Sequence, residues 1–151
     1  MQPFVHLHVH SQYSVLDGQA SVKALVDKAI ANGMRGIALT DHGNMFGIKE
    51  LTDYVNKKNK DVDGEIKNLK KTIEELKSAD AVDQEALSKA ETALKEAESK
   101  IFTPIIGCEM YVADNDMTDR SNKKDIGRHL IVLAKNQHGY HNLIKLVSNA
   151  W

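Results

Sequence analysis

Cysteine occurs once in the 151 residues, at Cys108, which excludes an internal disulfide framework and any thiolate-rich zinc finger or ribbon. That usage predicts a reducing, cytoplasmic setting. No apolar run approaches ~18 residues, so no membrane span or membrane partner is expected. No basic segment followed by an apolar stretch opens the chain, so no export signal is expected, and Met1 reads as a native start. An excess of charge is missing too: the formal net charge is −1 and the isoelectric point is near 6.6. Broad binding to nucleic acid draws on a basic face that releases phosphate counterions, and this chain has none to offer. Any nucleic-acid contact is therefore local or made by other parts of a protein.

What is present is histidine in particular places. Residues 4–10 alternate Val5, Leu7 and Val9 with Phe4, His6, His8 and His10, the pattern of a strand. Residues two apart on a strand share a face, so His8 and His10 aim at one point. Asp17 follows within one turn's reach, and Thr40-Asp41-His42-Gly43 ends the next apolar run. Imidazoles and carboxylates converging from the ends of separate strands are what a hydrolytic metal centre requires. Between these segments Ser21 is expected to cap a helix that turns Leu25, Val26, Ala29 and Ile30 inward and stops at Asn32-Gly33. Residues 36–40 read as a short buried strand, and Asn44 as the cap of a helix through Phe46, Ile48, Leu51, Tyr54 and Val55.

Composition changes at Asn56. From there to Lys100 there is no aromatic residue and no proline, and about half of the chain's charge is concentrated there. Ile66, Leu69, Ile73 and Leu76 step by three and four; after a break at residues 78–83 the steps resume at Leu87, Ala90, Leu94, Ala97 and Ile101. With Asp83 capping the second arm, this predicts an antiparallel coiled-coil hairpin over residues 56–101, with arms of ~25–30 Å and alanine along one seam. Residues 1–55 and 102–151 form the other unit. There residues 103–112 read as a strand with Glu109 near its end, 113–126 as a mobile polar loop, 128–134 as a buried strand, and roughly 138–150 as a helix with Leu143, Ile144, Leu146 and Val147 on its apolar face. Alternating strands and helices predict parallel α/β architecture with ligands at the carboxyl ends of strands. Without the hairpin only about 105 residues remain, against ~250 in a typical closed barrel, so the fold is expected to be incomplete in this chain.

Residues 4–11, 13–18, 38–44 and 104–109, together with His129-Leu130, Ala134-Lys135-Asn136, Gly139-Tyr140 and Asn142-Leu143, resemble the PHP domain family (polymerase and histidinol phosphatase). The likeness is greatest to the copies that open bacterial replicative DNA polymerases. It covers residues 3–55 and 102–151 and misses the hairpin, which looks like an insertion. The resemblance implies the first part of a distorted (β/α)7 barrel that holds up to three metal ions with nine ligands. Six of those positions carry over to His8, His10, Asp17, His42, Glu109 and His129; the other three are expected from segments after Trp151. Each of the six is a metal-competent type, which places the chain with the active members, hydrolases of phosphoesters. Polymerase copies can remove nucleotides from a 3′ end. The partners so implied are DNA, through the full-length polymerase, and replisome subunits such as a separate proofreading exonuclease.

Histidine and carboxylate without thiolate suit zinc, manganese or iron. Such ions, held close together, activate water and neutralise charge on phosphate oxygens. Asp41, beside His42, is expected to point across the strand or to orient a ligand imidazole; Arg128, beside His129, is a weak candidate for a phosphate contact. His6 reads as a packed core histidine, His138 and His141 as solvated or capping groups, and Cys108 as a small buried hydrophobe. Tyr13 and Tyr111 are open between stacking on a base and ordinary burial. Three other functions fit the same sequence: a metal-stabilised structural module that docks a proofreading subunit, a small-molecule phosphatase of the histidinol-phosphate type, and an interaction protein whose hairpin docks a partner. The isolated chain is expected to show little turnover.

Overall fold

The computed structural model describes residues 4–79, 83–116, 118 and 127–151. The expected native start at Met1, the centre of the break at residues 78–83, and most of the loop expected over 113–126 lie outside the described residues. Chain contacts divide the molecule into two units, Met1–Tyr54 with Thr103–Trp151, and Val55–Phe102.

In the first unit α1 (Val22–Ala31) starts at Ser21, whose hydroxyl accepts from the Ala24 N–H at 3.2 Å, and ends at Asn32 before Gly33 at φ 73°. Its inward side is Val22, Val26 and Ala29, whereas Ile30 is exposed. The apolar run after it forms β1 (Gly36–Leu39), buried throughout. β1 pairs in parallel with β2 (Thr103–Val112), Gly36 facing Thr103 and Leu39 facing Ile106. β2 in turn pairs antiparallel with β3 (Arg128–Leu133), Gly107 facing Leu133 and Val112 facing Arg128. The sheet, in order β1-β2-β3, is therefore mixed where a parallel one was expected. Antiparallel neighbours can be joined by a simple loop, whereas parallel ones need a longer crossover connection, usually helical.

Residues 4–10 form no regular strand. They lie alongside β1 through a single bridge, His6 to Ile37, and through the Ala38 N–H to the His6 carbonyl and the Thr40 N–H to the Val9 carbonyl, both at 2.9 Å. Thr40 stitches the same place with its side chain, accepting from the Val9 N–H at 2.9 Å and donating to the Val9 carbonyl at 3.1 Å. Leu7 is consequently half exposed, and His6 stands exposed with its ring edge-on to Phe4 rather than packed in the core.

Alternation along β2 sorts the two faces of the sheet. Cys108, Met110 and the facing Val132 turn toward α4 (Gln137–Ala150) and pack with Leu143 and Val147. Leu143 and Val147, four apart, make the buried stripe; Ile144 and Leu146 are exposed, contrary to the sequence expectation. Glu109, Tyr111 and the cross-strand partner His129 share the opposite face.

α2 (Ile48–Ser78) is one continuous helix of 31 residues, with no break at Asn56. Nothing in that stretch interrupts hydrogen bonding, since it lacks proline and its one internal glycine, Gly64, is tolerated within a long helix. The helix also begins later than expected. Asn44 is no helix cap: its Oδ1 accepts from the Phe46 N–H at 3.2 Å and its amide donates to the Tyr13 and His42 carbonyls. Phe46 is exposed before the first helical residue.

In the second unit Asp83 caps α3 (Gln84–Lys100), accepting from the Glu85 and Ala86 N–H groups at 3.0 Å. Ion pairs Glu65–Lys100, Lys70–Glu98 and Lys77–Glu91 step in opposite directions along α2 and α3, so the helices run antiparallel. Ile73 and Ala97 are buried. Asn59 closes the base by pairing with both backbone groups of Phe102, donating to its carbonyl at 2.8 Å and accepting from its N–H at 3.1 Å.

Candidate metal centre

The four segments named from the sequence meet beyond the carboxyl end of β1. After Leu39 the chain continues alongside β2: the Glu109 N–H donates to the Asp41 carbonyl at 3.1 Å and the Gly43 N–H to the Glu109 carbonyl at 2.9 Å. This sets His42 directly beside Glu109. Glu109 is fully buried and forms the floor. His8 Nε2 lies 2.5 Å and His10 Nε2 2.9 Å from its Oε2, and the two imidazole nitrogens are 3.0 Å apart. His42 Nδ1 is 3.1 Å from Oε1, and His129 Nδ1 contacts the same oxygen. Asp17 Oδ2 stands above, 2.9 Å from His10 Nδ1 and 3.0 Å from His42 Nε2.

These contacts resolve into three overlapping groups, His8-His10-Glu109, His10-Asp17-His42 and His42-Glu109-His129, within each of which the donor atoms lie no more than 4.8 Å apart. His10, Glu109 and His42 are each shared by two groups. All six residues named from the sequence are thus brought together.

The donor chemistry fits a cation. Glu109 Oε1 is buried and accepts no well-oriented hydrogen bond, even with two imidazoles against it. His8 and His10 point like nitrogens at each other, and two neutral imidazoles can place at most one proton between them. Atoms bound ~2.0–2.2 Å from one ion at angles near 90–110° stand roughly 2.8–3.6 Å apart. Within the first group the His8–His10 and His10–Glu109 separations, 3.0 and 2.9 Å, lie in that range, and the His8–Glu109 separation, 2.5 Å, is shorter than it.

The loop that carries Asp17 is built on Asp41, buried at 2% exposure. Its Oδ1 accepts from the Ser11 N–H at 2.6 Å and the Ser14 hydroxyl at 2.9 Å, and its Oδ2 from the Ser11 hydroxyl at 2.9 Å. Ser14 Oγ in turn accepts from the His42 N–H at 3.2 Å. Asp41, expected either to point across the strand or to orient a ligand imidazole, thus holds a loop through Ser11 and Ser14. Gly18 closes the loop against the Ser11 carbonyl so tightly that any side chain there would overlap it. Arg128, proposed for phosphate, is exposed and pairs with Asp114 at 2.9 Å.

Sequence reasoning missed Ser11 and Ser14, which lie inside the motif but whose burial no pattern signals. It left Tyr111 open; the Tyr111 hydroxyl is 3.0 Å from His42 Nδ1, and its ring meets His129 edge-on at 4.8 Å. Tyr13 is partly buried with its hydroxyl donating to Glu50 at 3.2 Å. His138 and His141 are exposed. Cys108 is buried on the other face, and burial pushes its thiol up to about 11.

Burial raises the Glu109 carboxyl, but contacts from His10 and His8 and the charges of His42 and His129 outweigh it and hold it below the usual range. Hydrogen bonds with His10 and His42 hold Asp17 low. Burial lowers His10, and the contacts with Asp17 and Glu109 reverse this to a net rise. A carboxyl lowered by folding adds stability above its unfolded value that is lost as pH falls through the folded one. A raised histidine adds stability below its unfolded value that is lost as pH rises through the folded one. Metal-free protein is thus expected to be most stable between the reference values of 4.5 for Glu109 and 6.5 for His10. Metal binding needs unprotonated imidazoles, so added zinc or manganese should raise the melting temperature increasingly from about pH 5 to 8. Melts with and without chelator across that range check both trends.

The chain matches the PHP domain family over residues 6–151. DNA polymerase III subunit alpha of Treponema pallidum (strain Nichols) is 40% identical over 151 residues, which cover 98% of this chain and 9% of that protein. The proteins of the same name from Borreliella burgdorferi and Chlamydia trachomatis serovar D are 37% and 32% identical over 150 residues, covering 96% and 98% of this chain and again 9% of each relative. The chain therefore spans about 9% of the length of the curated relatives it matches.

Proposed function

The chain belongs to the PHP domain family, and from that membership we propose that it is part of a bacterial replicative DNA polymerase and carries a multi-metal phosphodiesterase site that removes nucleotides from a 3′ end. The observation that carries this reading is the convergence of His8, His10, His42 and His129 on the buried carboxylate of Glu109, with Asp17 joining His10 to His42. In this account residues 1–55 and 102–151 are the first portion of a distorted (β/α)7 barrel, and residues 56–101 are an inserted coiled-coil hairpin able to dock a protein partner. DNA and replisome subunits, including a separate proofreading exonuclease, are the partners of the whole polymerase in the cytoplasm. No helix among the described residues is long and apolar enough to cross a membrane.

The six residues would hold up to three divalent ions of zinc, manganese or iron, with further ligands from later segments of the polymerase. When bound, such ions supply Lewis acidity that activates water and neutralises charge on the phosphate oxygens. Glu109 anchors two of the three donor groups from the floor, so it fixes their spacing. Asp17 ties His10 to His42 from the exposed side, and Asp41 keeps the Asp17 loop in place through Ser11 and Ser14.

The test uses the whole polymerase, purified free of other subunits, on 5′-labelled single-stranded DNA. Nucleotide release from the 3′ end that chelator abolishes, and that His10→Ala and Asp17→Ala each reduce by roughly 100-fold or more, is the expected result. Retained metal with no release, and lost binding of a proofreading subunit in the same variants, would favour a structural docking module. Faster cleavage of small phosphate monoesters than of DNA would favour a phosphatase.

A further inference from the structure

Three contacts hold the Tyr111 ring in place without using its hydroxyl. Tyr111 stands on β2 opposite His129, and the two rings meet edge-on at 4.8 Å. Gly127, at φ 74°, comes so near that a β-carbon there would lie 3.0 Å from the Tyr111 β-carbon. Gly43, at φ 58°, leaves room for the ring edge, with Tyr111 Cε2 and Cδ2 3.7 and 3.8 Å from where its β-carbon would be. The hydroxyl carried by this ring is 3.0 Å from His42 Nδ1.

A neutral imidazole has two nitrogens and a single proton to place on one of them. His42 Nε2, 3.0 Å from Asp17 Oδ2, offers a cation its lone pair only when that proton sits on Nδ1. Two oxygens stand within reach of Nδ1. Glu109 Oε1, at 3.1 Å, is poorly aligned and makes no hydrogen bond with it. The Tyr111 oxygen is well aligned. A hydroxyl also serves both tautomers, donating to a bare Nδ1 and accepting from Nδ1–H, whereas a carboxylate only accepts. Turning the imidazole over about its Cβ–Cγ bond would put a carbon where Nδ1 stands and lose this bond.

We propose that Tyr111 is a positioning residue for the metal centre: its hydroxyl oxygen accepts the His42 Nδ1 proton and holds the imidazole with Nε2 toward a cation beside Asp17. The inference rests on the reading of the six residues as metal ligands and adds to them a residue outside that set. A polar partner on the far nitrogen of a ligand imidazole carries about 10–100-fold in metal affinity.

The test is a zinc titration of the whole 151-residue chain at one pH, followed by NMR on the ring nitrogens of isotope-labelled histidine. The His42 signals are identified by their absence in His42→Gln. Tyr111→Phe keeps the ring and deletes only the oxygen. It should weaken the zinc that perturbs His42 by about tenfold or more, as much as Tyr111→Leu does, and retain the wild-type circular dichroism in chelator. Zinc-loaded wild type should show a His42 Nδ1 proton that exchanges slowly with water, and the phenylalanine variant should lose that protection. Wild-type zinc affinity in Tyr111→Phe, or a His42 proton on Nε2 in the loaded wild type, overturns the positioning role and leaves the metal-site reading standing. If Tyr111→Leu fails to fold, the phenylalanine variant decides alone. A wild-type chain that binds no zinc removes the metal-site reading and the role of Tyr111 with it.

Discussion

Glu109→Gln should weaken metal binding by at least ~100-fold, equivalent to about 2.7 kcal/mol, and leave the chain folded. The carboxylate touches four imidazoles and belongs to two of the three donor groups, so its loss affects both. Glutamine fills the same buried space and keeps one oxygen, but it carries no charge and its amide nitrogen presents protons where donor lone pairs are needed. Calorimetric titration with zinc or manganese reads the affinity, and circular dichroism reads the fold. Near-wild-type affinity in a folded Glu109→Gln chain would remove Glu109 from the centre. His8→Ala, which removes a ligand candidate from one group only, should cost less.

The second large effect is on stability. Asp41→Ala deletes the acceptor for three donors, of which the Ser11 N–H cannot reorient inside a buried loop. Leaving such groups without partners is expected to cost about 2–4 kcal/mol. The loss should be localised: amide exchange ought to accelerate in residues 11–18 before it does in β2 or α4, and metal affinity should fall with it because Asp17 rides on that loop. Asp41→Asn retains one acceptor and should fall between. Urea unfolding with residue-resolved hydrogen exchange separates these outcomes. Uniform destabilisation with the loop still protected would show that Asp41 acts as core packing.

Much of this site was legible because its chemistry sits in local motifs. His8 and His10 are two apart, Asp17 follows the same turn, and His42 ends an apolar run; each position states both a residue type and a place on an element. Helix limits set by caps were equally readable, as at Ser21, Asn32-Gly33 and Asp83. What escaped depends on partners distant in sequence. Nothing in residues 128–133 announces that β3 runs against β2, since strand direction follows from a connection and not from the strand. Residues 4–10 alternate like a strand, yet they pair at only a few points, which leaves Leu7 and His6 in water. Asn44 has the chemistry of a cap and uses it on a turn. For Asp41 the sequence leaves two readings, across the strand or onto a ligand imidazole, and neither names its partners, two serines about thirty positions earlier. Continuity of α2 through Asn56 was hidden by a change in composition that altered the solvent exposure of the helix without interrupting its backbone.

The most direct test is the position of a metal in a crystal of this chain. Crystals grown with zinc or manganese, measured at the absorption edge of that element, should give anomalous peaks ~2.0–2.3 Å from the imidazole nitrogens of His8, His10, His42 and His129 and the carboxylate oxygens of Glu109 and Asp17. A folded chain in which these six side chains surround no such peak, with the ion absent or bound elsewhere, would contradict the account.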